Sequence, residues 1–296
     1  MNSDYHIPVL CNTAVQFLIN PDLKHPLIID CTTGGGGYSE EICKKIGNDG
    51  KLICLDKDEN ALRYSTERLK TYSGQVSFTQ GNFAEIDKLI GEEDLNRITG
   101  IVLDLGLSSY QLTDENGFSF SRNTPLDMRA DSRDKLSAQD IINSYSKDEL
   151  TEIFLKYGEI GNSGRLAEAI IRERRNKTIS STFDLVAAVN SEYRIKKHMM
   201  NSFLAKIFQA IRIEVNKELE NLELILGKSV DLLVEGGRIV VISYHSLEDR
   251  IVKYYFKNNS GTYFKVLTKK AVSPDWTERK SNSKSRSAKL RAGERI

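Results

Sequence analysis

Short apolar runs alternate with helical spacing over the first hundred residues of the chain. Leu27-Ile-Ile-Asp-Cys31 is apolar and ends in an acid, which predicts a buried parallel strand. Gly34–Gly37 breaks the run, and Ser39–Ile46 follows with helix-like composition. Lys51–Leu55, closed by Asp56, predicts a second strand, and Glu59–Lys70 a helix. Val76–Thr79 and Ile101–Leu105 predict the third and fourth strands, with Ala84–Ile90 a short helix between them. This alternation is the mark of an α/β sheet with right-handed crossovers.

The pattern stops at about Gln111. From there to Arg212 strand signal is sparse, and Ala138–Asn143, Lys147–Tyr157, Leu166–Arg175 and Thr182–Val189 carry helical spacing. It resumes at Gly237-Arg-Ile-Val-Val-Ile-Ser243, followed by a helix over Leu247–Lys257. Tyr263–Thr268 and Ala288–Ile296 predict two last strands, an antiparallel pair separated by a basic, serine-rich loop. The expected organisation is one α/β domain, residues 1–110 and 212–296, with a helical insertion over 111–211.

Composition changes this picture little. The chain has 296 residues, 40% apolar and 28% charged, the balance of an ordinary globular protein. No stretch approaches the roughly 20 apolar residues that span a bilayer, and Met1–Leu10 lacks the basic and apolar regions of a secretion signal. A cytoplasmic location without membrane contact is expected. Cys11, Cys31, Cys43 and Cys54 form no C-x-x-C pair, so small buried thiols are expected rather than a metal site. The net charge of +1 is neutral about partners, but its distribution is not: residues 265–296 carry ten Lys/Arg against three Asp/Glu. Such a run is a solvated tail or a phosphate-binding strip.

The glycine turn is where candidate chemistry begins. Without Cβ atoms, backbone can approach a ligand closely and take positive φ, and the helix after it presents free N–H groups. Such a turn holds a pyrophosphate, or the carboxylate and sulfonium end of S-adenosylmethionine. Asp56, about twenty residues on, is spaced to accept hydrogen bonds from a ribose diol. A dehydrogenase and a methyltransferase both fit so far. The turn reads D-x-T-x-G-x-G-G, with Asp30 and Thr32 where a dehydrogenase is more often apolar. Gly81-Asn-Phe83 follows the third strand and sets an aromatic where adenine would pack. Together with the antiparallel end, these favour the Rossmann-like sheet of a class I S-adenosylmethionine-dependent methyltransferase.

Asp104-Leu-Gly-Leu-Ser-Ser-Tyr-Gln-Leu112, Gly117-Phe-Ser-Phe120 and Pro125-Leu-Asp-Met-Arg129 are more specific. With His6-Ile-Pro-Val-Leu10, Phe208-Gln-Ala-Ile-Arg-Ile213, Ile242-Ser-Tyr-His-Ser-Leu-Glu-Asp-Arg250 and Ser285-Arg-Ser-Ala-Lys-Leu-Arg291, they make the chain resemble the bacterial small-subunit ribosomal RNA methyltransferase H (MraW) family over most of its length. The resemblance implies transfer of a methyl group from S-adenosylmethionine to N4 of a cytidine in the decoding centre of 16S rRNA, within a small ribosomal subunit or its precursor, with no metal. It implies cofactor contacts at Gly36, Gly37 and Tyr38, at Asp56 on the ribose, at Phe83 by the adenine, and at Asp104 and Gln111. The family usually has His where Tyr38 stands and Arg where Lys206 stands. A paralogue with another nucleic-acid amino target, or a cofactor-binding ribosome-assembly factor without transfer activity, is the alternative.

Cytosine N4 is a poor nucleophile because its lone pair is delocalised into the ring. An acceptor for its N–H bonds, aligned with the sulfonium, supplies what the base lacks. The chain has no N-P-P-Y-like tetrapeptide; Asp104-Leu-Gly-Leu107 takes its place, so Asp104 or a nearby backbone carbonyl is the candidate catalytic acceptor. His245, after the fifth strand, and Asp127 and Arg129 are substrate-side candidates, the last two equally an internal ion pair. Tyr110, Phe118 and Tyr244 are candidates for stacking on an extruded base, or for core. Arg165, Arg172, Arg174, Arg175 and Lys177 fall on one predicted helix of the insertion, as a solvated face or an RNA contact.

Overall fold

A computed structural model describes residues 8–106, 116–193 and 195–296. Seven strands form one sheet: β1 (Leu27–Asp30), β2 (Lys51–Asp56), β3 (Val76–Gln80), β4 (Ile98–Asp104), β5 (Leu233–Ser243), β6 (Phe264–Val266) and β7 (Lys289–Arg295). Their order is β3-β2-β1-β4-β5-β7-β6. β1 to β5 run parallel, while β7 is antiparallel to both β5 and β6. This is a Rossmann-like sheet with the expected antiparallel end.

The strands are apolar on both faces because both faces are covered. In β1, Leu27 and Ile29 join the core on one side and Ile28 the core on the other. β5 alternates likewise, Ile239 and Val241 against Val240 and Ile242. Helices Gly37–Ile46 and Glu59–Arg68 stand in the crossovers β1–β2 and β2–β3. The β4 carboxyl end lies beside β1, where the order of connections reverses, the switch point at which open α/β sheets take their ligands.

Cα proximity divides the chain into two compact units, Met1–Ser108 with Leu219–Ile296, and Ser109–Glu218. The second is helical: Ala138–Ser144, Lys147–Lys156, Ser163–Asn176, Thr182–Glu192 and Lys197–Asn216. Three of these start in capping boxes, Ser137 with Asp140, Ser146 with Glu149, and Ser181 with Asp184, each satisfying two backbone N–H groups. Ile141, Phe154, Leu166, Leu185 and Ile207 are all fully or almost fully buried.

Two long helices, Lys197–Asn216 and Glu218–Leu232, stand where the sequence reading placed no element. Their signal is present: Leu204, Ile207, Phe208, Ile211 and Val215 recur at helical spacing and are all buried. Lys217 separates the two in left-handed backbone, φ 50°. No helix among the described residues is long and apolar enough to cross a membrane.

Candidate active site and cofactor cradle

The glycine turn leaves β1 at Asp30, which is 1% exposed. Asp30 Oδ2 accepts from Ser39 Oγ at 2.6 Å and Oδ1 from the Thr32 N–H at 3.2 Å. Thr32 Oγ1 in turn accepts from the Asp104 N–H at 2.7 Å, pinning the turn to the end of β4. Burial raises the Asp30 carboxyl to about 6, its two hydrogen bonds only partly offsetting the lost hydration. Asp30 and Thr32 therefore build the crevice as well as distinguishing it from a dinucleotide turn.

Two glycines in the turn have separate reasons. Gly36 takes φ 73°, and a Cβ there would lie 3.1 Å from Ser65 Cβ, so this glycine lets helix Glu59–Arg68 approach. A Cβ on Gly37 would meet Pro8 at 2.9 Å. At both positions a protein neighbour takes the space next to the missing side chain, so close packing is one cause of the glycines. The helix that follows has no side-chain cap at its N-terminus, leaving its first-turn N–H groups to other acceptors.

At the end of β2, Asp56 Oδ2 accepts from the Gly34 N–H at 2.8 Å and Oδ1 from the Asp58 N–H at 3.0 Å. Each carboxylate oxygen keeps accepting capacity beyond those bonds. Burial raises this carboxyl also to about 6. Phe83, half-buried, follows β3 at the head of a short 3-10 turn capped by Asn82. Gly81 N–H donates to the Asp56 carbonyl at 3.0 Å, which brings the chain leading into Phe83 alongside the acid. A ribose acceptor, an aromatic beside it and an uncapped helix start fit a nucleoside cofactor bearing a carboxylate.

Asp104 closes β4. Its Oδ1 accepts from Tyr244 Oη at 2.7 Å, across from the end of β5. Burial first, then the charge of Asp104, pushes the Tyr244 phenol far above its ordinary range. Tyr244 thus stays a proton donor to Asp104 at any working pH; its hydroxyl serves the carboxylate, and its ring packs against the core, the second of the two sequence readings. Phe118 is 7% exposed and belongs to the core, which removes it as a stacking surface. Gln111 and Tyr110 lie outside the described residues.

The Tyr38 side chain is committed inside the protein. The ring is 4% exposed, and the hydroxyl donates to the Val9 carbonyl, so it is not turned toward a sulfonium. A phenol has one proton to give, and here the N-terminal segment takes it. Tyr38→Phe is expected to lower stability by about 1 kcal/mol and leave cofactor affinity within twofold; calorimetric unfolding and a binding isotherm check both.

His245 caps helix Ser246–Asn258, its Nδ1 accepting from the Glu248 N–H at 3.4 Å. Glu248 reaches back to the N–H groups of Tyr244 and His245 at 2.8 and 3.2 Å. His245 Nε2 lies 3.1 Å from Glu248 Oε1 but outside hydrogen-bond geometry. Asp249 in the same motif pairs with Lys289 and Arg291 of β7, at 3.0 and 2.7 Å, so the two basic residues are spent on tying strand to helix.

Within the helical unit, Arg129 and Asp127 form a two-pronged ion pair at 2.7 and 2.8 Å. Arg129 also donates to the carbonyl of Asp134 at 2.8 Å. This is the loop-ordering alternative of the two sequence readings. Of the five basic residues on helix Ser163–Asn176 and its end, Arg165 and Arg172 share Glu192, Lys177 pairs with Asp184, and Arg174 donates to the Ile142 carbonyl. Two carboxylates, Glu192 and Asp184, offset part of that charge locally.

An α/β sheet of this strand order, with an acid at the end of β2, an uncapped turn after β1 and an acid at the end of β4, fits the methylase class to which the family comparison assigns the chain. The model of the MraW methylase family matches residues 3–296, and the chain belongs to that family. A relative from Finegoldia magna, named Ribosomal RNA small subunit methyltransferase H, is 40% identical over 98% of this chain and 98% of its own length. One from Thermotoga neapolitana with the same name is 42% identical over 99% of this chain and 96% of its own.

Proposed function

We propose that the chain methylates small-subunit ribosomal RNA, and that its target is N4 of a cytidine in the decoding centre of 16S rRNA, in a small ribosomal subunit or its precursor in the cytoplasm. The names of full-length relatives at 40% identity support the rRNA class. One structural observation carries the amino target: a carboxylate, Asp104, set at the switch point with its Oδ1 held by Tyr244 at 2.7 Å. Gly36, Gly37, the backbone of Tyr38, Asp56, Phe83 and Gln111 would hold S-adenosylmethionine, Asp56 accepting from the ribose hydroxyls. That cofactor supplies an electrophilic methyl on a sulfonium.

Asp104 accepts a hydrogen bond from the N4 amino group, which localises the nitrogen lone pair and orients it. Methylation, in which the methyl would leave sulfur for N4, costs the amino group a proton, and the Asp104 carboxylate would take it. Tyr244 holds the carboxylate in one rotamer, so little reorganisation is needed in the transition state. The helical unit is the candidate substrate-recognition domain, where Asp127 and Arg129 order a loop; His245, in the catalytic domain, serves the substrate side through the helix cap it orders after β5.

In a strain lacking the gene, N4-methylcytidine should be missing from the decoding centre of 16S rRNA and return with a plasmid copy. Mass mapping of rRNA fragments reads this directly. An unchanged methylation pattern in that strain sinks the target. A lost methyl elsewhere in the rRNA points to the paralogue, and cofactor binding without any lost methyl to the assembly factor.

A further inference from the structure

Trp276 is the chain's one tryptophan and is 73% exposed. Lone exposed apolar side chains are common on surfaces and need no cause. Three features set this one apart. The Lys280 ammonium sits 5.0 Å from the ring centroid, so the indole is already part of a cation–π pair. Lys269, Lys270, Arg279, Lys280 and Arg286 surround it in sequence, all exposed, and have no acidic partner at salt-bridge distance among the described residues. Other cations of the same run, Lys265, Lys289 and Arg291, are neutralised by Glu294 and Asp249. Of the described cations of this run, the five nearest the tryptophan in sequence are therefore those without an ion-pair partner, five against the two acids Asp275 and Glu278.

The platform is also fixed, and fixed to the site. Asp275 caps the helix Trp276–Ser281 through the Glu278 N–H at 2.8 Å. Glu278 Oε1 accepts from the Leu10 N–H at 2.7 Å, next to Val9, whose carbonyl receives the Tyr38 hydroxyl. Val272 and Leu290 exchange backbone hydrogen bonds at 2.9 and 2.8 Å on the other flank. An exposed indole on an anchored helix, with Lys280 beside the ring and a net basic run around it in sequence, is a combination that suits single-stranded nucleic acid: cations meet phosphates while the ring stacks on a base.

We propose that Trp276 stacks on an unpaired base of the RNA substrate beside the target nucleotide, with Lys280 and Arg279 on the flanking phosphates. This rests on the reading of the protein as an rRNA methyltransferase and adds a residue that holds the strand. The sole tryptophan makes the contact directly visible, because stacking on a base quenches indole fluorescence.

The experiment titrates the full-length protein, loaded with S-adenosylmethionine, with a single-stranded RNA oligonucleotide and separately with 30S subunits. Quenching that saturates with binding is expected for both. Read by filter binding of labelled oligonucleotide, which needs no indole, Trp276→Ala should weaken binding by about tenfold, and Trp276→Phe by much less, with cofactor affinity equal in all three proteins. Unquenched fluorescence at saturating RNA, or an alanine variant binding as tightly as the parent, overturns the proposal. Quenching by isolated ribosomal proteins but not by RNA also overturns it, in favour of a protein partner. Methyl incorporation into 30S subunits, read in parallel, reports on the enzymatic reading alone. Incorporation without quenching removes only the stacking contact, whereas quenching without incorporation removes only the rRNA target.

Discussion

Asp104→Ala is expected to lower kcat for methyl transfer on the order of 10²- to 10³-fold, the loss typical of removing one preorganised polar group from a reacting centre. The carboxylate sits where β4 ends, its N–H held by Thr32 at 2.7 Å and its Oδ1 by Tyr244 at 2.7 Å. Those two bonds fix its position before substrate arrives. Asp104→Asn separates charge from shape: the amide keeps the volume but accepts more weakly and takes no proton, so most of the loss should persist. Tyr244→Phe leaves the carboxylate in place with one donor fewer, and a loss of about tenfold is expected. Single-turnover kinetics on saturating small subunits measures all three. Asp104→Asn retaining parental kcat would remove the acceptor role.

Asp56→Ala should weaken S-adenosylmethionine by about 100-fold, the worth of hydrogen bonds from two ribose hydroxyls to a charged acceptor. Its pH dependence is the sharper test. Burial raises both Asp56 and Asp30 to about 6. A carboxyl whose folded pKa is raised binds its proton more tightly in the native state than in the unfolded chain. These two acids therefore favour the folded state most at low pH, and that contribution is lost as pH rises through about 6. Cofactor binding runs the other way, because only the ionised Asp56 accepts from both hydroxyls. Affinity should fall as pH drops below about 6 while the cofactor-free protein becomes more stable over the same interval, until other carboxylates protonate. Asp56→Asn should lose most of the affinity and flatten its pH dependence, leaving the part due to Asp30. Isothermal titration between pH 5 and 8 reads this; an unaltered pH slope in the variant would falsify the ribose role.

The sheet was legible because its strands are short apolar runs closed by acids or glycines, and such runs have few other stable fates. β1, β2 and β3 begin at the predicted residues. β4 and β5 begin three and four residues earlier than their apolar signals, at Ile98 and Leu233. The pair Ile98 and Leu233 carries both strands further, across a register shift between Ile98 and Gly100 where Gly236 and Gly237, residues with weak intrinsic strand preference, lie outside the ladder. Helix Lys197–Asn216 passed unread although Leu204, Ile207 and Ile211 mark one face, since its polar half and its left-handed stop at Lys217 blur the ends.

For the site, spacing alone reached the glycine turn, Asp56 and Phe83, since a strand–turn–helix and the next strand lie close in sequence and geometry follows from local rules. The family motifs added Asp104. Neither could tell that Tyr38 spends its hydroxyl on Val9, that Tyr244 serves Asp104, or that Lys289 and Arg291 belong to Asp249. Residue type and spacing decided which groups could do chemistry. Which of them are still available to a ligand was decided only by the tertiary structure. A hydroxyl donates one proton and an ion pair fills one coordination direction, and partners 29, 140 or 42 positions away in the chain compete for them only once the sheet has brought them together.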